Sequence, residues 1–365
     1  MQRPASDGRT NSLKRDDSGI IRFGFLLLPE FPLYALVPAM EALRIANQNH
    51  GRKLYDWILI SETGPSERSG NGMSLSVDAT IADVNWLPTV LVFGGNHPTQ
   101  HLSKRLLNWL RRLARHGCVM GGIDTGAFAL AEADLLDDHE VTMHWESVST
   151  FRERYPGIRV SEHLFKINEE RMTCAGGHAT LDFMLALIAK RNGPALAQVV
   201  ANAFVAHHPR NAAEPQRPSP RILSSDINSP LTRILQDMES NIQAPLSAQA
   251  LAERAGVSVR ALSRLLHKRL GESPMSYYRK IRLQAARNSL FYSDIAIQDV
   301  AASCGFTSPE VFSRTFKDRF GVSPREFRRR FAADELHHFR PEFNQRLGFS
   351  EGNRSSCFLR VKRSS

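Results

Sequence analysis

Through the first two hundred residues, short apolar runs alternate with longer amphipathic stretches. Ile21–Leu28, Tyr55–Ser61, Val90–Phe93 and Val119–Ile123 are apolar, brief and bounded by Gly or Pro, which predicts strands buried on both faces. Leu33–Gln48, Leu102–His116, Gly126–Ala133 and Ser147–Arg154 carry the spacing of helices, and Leu181–Arg191 with Leu196–His207 close the series as two more. Alternation of this kind predicts an α/β domain: a doubly wound, mostly parallel, flavodoxin-like sheet with helices on both faces.

The pattern changes at His208–Arg221, which holds four prolines and almost no large apolar side chain. Proline fixes φ and removes a backbone donor, so this stretch predicts an extended linker. Beyond it the periodicity is wholly helical, and it repeats. Ser263–Pro274 aligns with Ser313–Pro324 at an offset of 50, and Ala255–Ser258 aligns with Cys304–Thr307 at an offset of 49. Two copies are too few for a solenoid and predict a duplicated module. Each copy has a short helix, a glycine for the tight turn (Gly256, Gly305) and a second helix. Ser258 is placed to cap that second helix in the first copy. Val259, Leu262, Leu266 and Leu270 are expected on the inward side of the first such helix, and Val311, Phe312 and Phe316 on that of the second. A long helix, about Met275–Tyr292, separates the copies. The second domain is therefore expected to be all-α with two helix-turn-helix motifs.

Charge sharpens this division. The chain has 365 residues and a net charge of +10, yet residues 1–220 carry 23 basic and 23 acidic side chains. Residues 221–330 carry 18 against 10, which concentrates the excess in the helical segment and points to a polyanionic partner. A solvated basic face on a plain helical bundle is the alternative. The duplication and the matched Arg and Ser positions favour nucleic acid. No apolar run reaches the length needed to span a bilayer, the polar first residues lack a signal-peptide core, and four scattered cysteines form no C-x-x-C pair. A cytoplasmic protein with no membrane contact is expected. The domain reading is 1–19 disordered lead, 20–208 the α/β domain, 209–225 linker, 226–331 the basic helical domain, and 332–365 an extension of unassigned role.

The run Asp299-Val300-Ala301, Cys304-Gly305-Phe306, Ser308, Phe312-Ser313-Arg314, Phe316-Lys317, Phe320-Gly321, Ser323-Pro324 resembles the signature of the AraC/XylS family of bacterial transcription regulators, and the resemblance covers residues 226–331. It implies that Arg260, Ser263 and Arg264 of the first reading helix, and Pro309, Glu310, Ser313 and Arg314 of the second, face base edges in the major groove. His267 stands on the same outward face as the first set. Other basic residues such as Lys268, Arg279 and Lys317 would touch phosphate or nothing. It also implies double-stranded promoter DNA as partner, a homodimer, and activation through RNA polymerase.

In the first domain the stretch Gly121-Gly122-Ile123-Asp124-Thr125-Gly126-Ala127 follows a strand and opens a helix. Glycines around such a turn let the backbone kink and push one side chain, here Asp124, into a cleft. A carboxylate there can act as a nucleophile, can hold a cation, or can merely cap the helix. Phe93-Gly94-Gly95-Asn96, Thr142-Met143-His144-Trp145 and Cys174-Ala175-Gly176-Gly177 can reach the same sheet edge, with Glu30 and Tyr34 from the turn after the first strand. The ligand-binding candidates are therefore Glu30, Tyr34, Phe93, Asn96, Asp124, Thr125, His144, Trp145 and Cys174. The glycine pairs can equally be simple turns, and His144 and Trp145 structural.

Residues 20–208, through Asp124–Asp137 followed by Thr142-x-His144-Trp145, resemble the class-I glutamine-amidotransferase-like superfamily, which includes PfpI-type proteases and related glyoxalases and deglycases. In its enzymes a cysteine stands where this chain has Asp124, and an acidic residue on the first helix maps near Tyr34. The departure argues against thiol chemistry and for a pocket kept for sensing. The Asp-Thr-Gly-Ala-Phe and Cys-Ala-Gly-Gly runs resemble the branch that regulates quaternary-amine catabolism (glycine betaine, carnitine) and arginine use. That resemblance implies a small amine effector, which an Asp124 charge and the π faces of Tyr34, Phe93 and Trp145 would suit. Two other readings stay open: an enzyme using Asp124 as nucleophile and His144 as base, and a dimerisation module without a small ligand. No catalytic residue is assigned. The histidine pairs lack a third ligand, so no metal or cofactor is expected.

Overall fold

The computed structural model describes residues 19–206, 209–216 and 229–332. Its first part is built on a seven-stranded sheet. The strands are β1 (Ile21–Leu27), β2 (Tyr55–Ser61), β5 (Ala79–Thr80), β6 (Thr89–Gly94), β7 (Val119–Asp124), β10 (Phe165–Ile167) and β11 (Arg171–Cys174). The order is β10-β11-β7-β6-β1-β2-β5, parallel throughout except for the β10–β11 hairpin. Two short ladders lie outside the sheet: β3 (Ser66–Arg68) with β4 (Ser74–Ser76), and β8 (Glu140–Val141) with β9 (Arg159–Val160). The mostly parallel, doubly wound architecture is as the sequence pattern predicts, with β5 and β10 as additional edge strands and β11 between β10 and β7, all too short or too polar to stand out.

Alternation along the strands divides the core between the two faces. Phe23, Phe25 and Leu27 of β1 join α1 (Leu33–His50), α5 (Ala179–Asn192) and α6 (Pro194–Ala203) on one side. Leu26 and Leu28 join α2 (Lys104–Arg115), α3 (Ala127–Glu132) and α4 (Val148–Arg154) on the other. Both layers are fully buried at their centres, so the β1 side chains from Phe23 to Leu27 are removed from water whichever way they point, while Arg22 near the strand's start stays exposed.

The first half of the proline-rich stretch lies against this domain. The backbone N–H and guanidinium of Arg210 donate to the buried Asp182 carboxylate at 2.9 Å, and the Gln216 amide donates to the Met143 carbonyl at 2.8 Å. The rest of that stretch, the lead, His207-His208, and the tail with His337-His338 and Cys357 fall outside the described residues.

The second part is all helical: α7 (Pro230–Ser240), α8 (Ala248–Arg254), α9 (Val259–Leu270), α10 (Pro274–Tyr292), α11 (Ile297–Ser303), α12 (Pro309–Phe320) and α13 (Pro324–Ala332). It has two small cores. Leu231, Ile234, Leu235 and Met238 of α7 cover α8 and α9, while Phe327 of α13 covers α11 and α12. The long α10 contributes Tyr278 to the first core and Leu283, Ala286 and Leu290 to the second, which ties the two helix-turn-helix units together.

Candidate effector cavity and nucleic-acid interface

The strand-to-helix turn at the end of β7 is a sharp elbow. Asp124 sits at φ 61, a left-handed conformation that costs a residue with a Cβ unless its surroundings enforce it. Those surroundings are glycines. A Cβ on Gly94 would lie 2.3 Å from the Gly126 nitrogen, one on Gly126 2.0 Å from the Val92 carbonyl oxygen, and one on Gly95 2.0 Å from the Glu30 carbonyl oxygen. Gly94, Gly95 and Gly126 are therefore required for close backbone approach and do more than turn the chain, whereas a Cβ on Gly177 would meet nothing within 4 Å. The first three press the ends of β1, β6 and β7 together, so the turns that follow these strands share one cavity of about 320 Å³.

Glu30, Tyr34, Asn96, Asp124 and His144 line that cavity, together with Phe31, Asn71 and Tyr292 among others. Glu30 is also left-handed, at φ 61, and its Oε2 is buried without a hydrogen-bond partner. Asp124 is pushed up to about 6, first by burial and also by the neighbouring Glu146 carboxylate, against the opposing pull of His144. His144 Nδ1 lies 3.9 Å from Glu146 Oε2, beyond hydrogen-bond reach, and is otherwise unpartnered. The Tyr34 hydroxyl bonds to His178 Nδ1 at 3.0 Å across the mouth of α5. Among the described residues lining the cavity, none is Lys or Arg.

Four sequence candidates lie elsewhere. Phe93 is fully buried in the core, edge-on to Phe25 at 5.5 Å, because its β6 position points into the α1 layer. Thr125 is buried and its hydroxyl donates to the Gly95 carbonyl at 2.6 Å, bracing the elbow. Trp145 opens a short 3-10 turn, Trp145–Ser147, with its ring 5.8 Å from that of His144, and lies outside the cavity lining. Cys174 is buried at the end of β11, its thiol pushed up to about 12 by burial, and it accepts from the Gly176 N–H. Gly176, at φ 80, is the residue that approaches the elbow: its Cβ would fall 2.5 Å from Asp124 Oδ2.

Tyr292 was not foreseen. It ends α10 in the helical domain, yet it lines the cavity, and its hydroxyl donates to Glu146 Oε2 at 3.2 Å. Burial pushes its phenol well above the usual range. Nothing in the periodicity of α10 marks its last residue for contact with another domain.

The other functional face is the outer side of α9 and α12. Ser258 and Ser308 cap these helices, accepting from Ala261 N and Val311 N, while Gly271 and Gly321 end them at φ 74 and φ 78. Leu262 and Leu266, and Phe312, Phe316 and Phe320, are buried. Val259 and Val311, expected inward, are each 43% exposed, because they sit in the first turn, where the helix projects beyond its core. Arg260, Ser263, Arg264, His267 and Lys268 are exposed on α9, as are Pro309, Glu310, Arg314 and Lys317 on α12, with Ser313 half-buried. Glu310 accepts a hydrogen bond from the Ser308 hydroxyl, and it therefore belongs to the cap. The arginines and lysines of this set are engaged in no ion pair or hydrogen bond with the described residues. Arg282 is used differently: from α10 it donates to the carbonyls of Cys304 and Gly305 and covers the Phe306 ring at 4.3 Å, which locks the second turn.

A helix-turn-helix domain model matches residues 251–330, and a DJ-1/PfpI family model matches residues 26–190. The chain is 39% identical over 306 residues to the HTH-type transcriptional regulator CdhR of Pseudomonas aeruginosa, covering 84% of this chain and 91% of that one. It belongs to the AraC-type transcription regulators that carry a DJ-1/PfpI domain. The HTH-type transcriptional regulator GbdR of the same species is 36% identical over 305 residues, covering 84% of this chain and 83% of that one. The helical domain alone is 36% identical over 109 residues to the HTH-type transcriptional activator RhaS of Escherichia fergusonii, covering 29% of this chain and 39% of that one. As an AraC-type regulator, the chain binds DNA through its helix-turn-helix domain and acts on transcription. Among the described residues, no helix is long and apolar enough to cross a membrane, and no cluster of three metal-ligating side chains occurs.

Proposed function

We propose that this regulator responds to a small cationic or zwitterionic amine, of the betaine, carnitine or arginine kind, held in the cavity around Asp124. The observation that carries the reading is the cavity's charge: Asp124 and Glu30 supply carboxylates, Tyr34 and Tyr292 supply rings, and among the described lining residues no lysine or arginine opposes them. A cation would replace the missing partner of Glu30 Oε2 and offset the burial of an ionised Asp124.

Arg260, Ser263 and Arg264, with Arg314 and Ser313, read base edges of promoter DNA, and Lys268 and Lys317 hold phosphate. Activation through RNA polymerase is supported by the kinship of the helical domain to a named activator, and a homodimer on paired half-sites suits two reading helices per chain. A DNA partner supports a cytoplasmic location. Catalysis is not part of this reading, because the elbow has no thiol and the Cys174 thiol stays neutral.

The test is a thermal-shift screen of the full chain against glycine betaine, carnitine, arginine and neutral analogues. One amine that raises the melting temperature of the wild type and not of Asp124→Ala supports the proposal; an unmoved wild type removes it. The more basic carboxylate that burial gives Asp124, with its pKa raised to about 6, and its strained backbone also favour a carboxylate nucleophile as a second reading. Turnover of any screened compound that vanishes in Asp124→Asn would select it.

A further inference from the structure

The cavity is closed by the wrong domain. Most of its lining comes from the turns after β1, β6 and β7, but Tyr292 belongs to α10, the helix shared by both helix-turn-helix units. Three neighbouring contacts fix that helix end on the sensing domain. The Tyr292 hydroxyl donates to Glu146, the Gln100 amide donates to Asp294 at 2.8 Å, and the Phe291 ring lies 5.5 Å from that of His97. Tyr292 is 8% exposed, so this is a seated side chain and not a surface graze. On the other side of the same helix, Arg282 holds the turn of the second helix-turn-helix unit. A ligand-lined wall and a DNA-reading turn are thus parts of one rigid helix, separated by ten residues or about 15 Å of rise.

We propose that Tyr292 is a ligand-contacting residue supplied by the DNA-binding domain, so that the effector binds across the domain interface and clamps α10 against the sensing domain. This rests on the reading that the Asp124 cavity takes a small amine. The cavity keeps its volume with Tyr292 in its wall, so the ligand fits beside the ring and need not expel it. A cationic amine seated between the Asp124 carboxylate and the Tyr292 ring has one partner in each domain. Undocking α10 removes one of them, and the ligand therefore favours the docked arrangement by its differential affinity. Regulation follows without a relay: the occupied cavity and the placement of α9 and α12 share α10 as a common part.

The experiment uses the full chain with glycine betaine, carnitine and arginine as probes, in wild type, Tyr292→Phe, Tyr292→Ala and Glu146→Gln. Glu146→Gln alters the docking contact from the sensing domain and leaves the fold of α10 untouched. Tyr292→Ala is expected to weaken the active amine about tenfold or more, Tyr292→Phe to keep most of the affinity, and Glu146→Gln to weaken it less than Tyr292→Ala. Equal affinity in wild type and Tyr292→Ala overturns the inference while leaving the amine reading intact. Amide hydrogen exchange without ligand provides the second arm. Faster exchange at 144–148 in Tyr292→Ala supports docking even where no amine binds and the effector reading has failed. Unchanged exchange there overturns the clamp.

Discussion

On the outer faces of α9 and α12, Arg260, Arg264, Lys268, Arg314 and Lys317 stand in solvent with no ion pair or hydrogen bond among the described residues, whereas at the end of the sheet Glu30 and Asp124 are held half-buried in a cavity whose described lining holds no lysine or arginine. Both regions withhold charge from internal pairing, by different means. The proposed DNA face does so cheaply, because water solvates exposed guanidinium groups, and such groups can exchange that water for phosphate or a base edge. The cavity does so against desolvation and left-handed backbone at two residues, and glycine contacts between three strand ends hold it in place. The first arrangement suits a large polyanion met at a surface; the second suits one small cation taken out of water.

The largest effect is expected where the cavity's scaffold is broken. Gly95→Ala would drive a Cβ to 2.0 Å from the Glu30 carbonyl oxygen, backbone against backbone. A loss of several kcal/mol of stability follows, measurable by chemical denaturation, together with loss of amine binding. DNA binding by the helical domain is expected to outlast that loss, which separates the two regions directly.

Next in size is the pH response of Asp124. The folded chain holds its proton up to about pH 6, whereas the unfolded chain releases it near 4. Folding therefore takes up a proton between those values, and stability declines as pH rises through them, by about 2–3 kcal/mol at most. Asp124→Asn should match wild type below pH 4 and exceed it above pH 6, in denaturation curves run across that range. Amine binding should move oppositely. A cation favours the ionised carboxylate, so affinity should fall up to about tenfold per pH unit below 6, with His144 and Glu146 shaping the curve. An amine that binds equally at pH 5 and pH 7.5 is not held by this carboxylate.

On the DNA face, Arg264→Ala and Arg314→Ala should each cost about 1–3 kcal/mol at a cognate site and much less on random DNA. Lys268→Ala and Lys317→Ala should lower both together and reduce the salt slope by about one. The smallest effect is local. Removing the caps, Ser258→Ala or Ser308→Ala, should cost about 1 kcal/mol each in the stability of the helical domain, read by thermal melting.

The helix-turn-helix scaffold was largely legible in the sequence because its determinants are local and repeated. A cap, a turn glycine and a 3.6-residue stripe recur fifty residues apart, and only Val259 and Val311 depart from the stripe. The cavity was legible in half. The elbow glycines and Asp124 announce themselves as strand, kink and helix, and Glu30, Tyr34, Asn96 and His144 were reachable from the rule that ligands bind at strand ends. Phe93 and Trp145 were misplaced because composition names an aromatic but not the side of the strand or turn on which it falls. Asn71 and Tyr292 arrive from a hairpin and from another domain, by long-range contacts that leave no trace in any window of sequence.

The central claim is that a small amine sits against Asp124 and holds the helical domain through Tyr292. Isothermal titration of the full chain with the amine that shifts its melting temperature tests it most directly, with Asp124→Asn and Tyr292→Ala titrated beside the wild type. The account predicts measurable binding to wild type and at least tenfold weaker binding to each variant, one from either domain. Wild-type affinity retained in both variants would contradict it and move the ligand, and the control of transcription, away from this cavity.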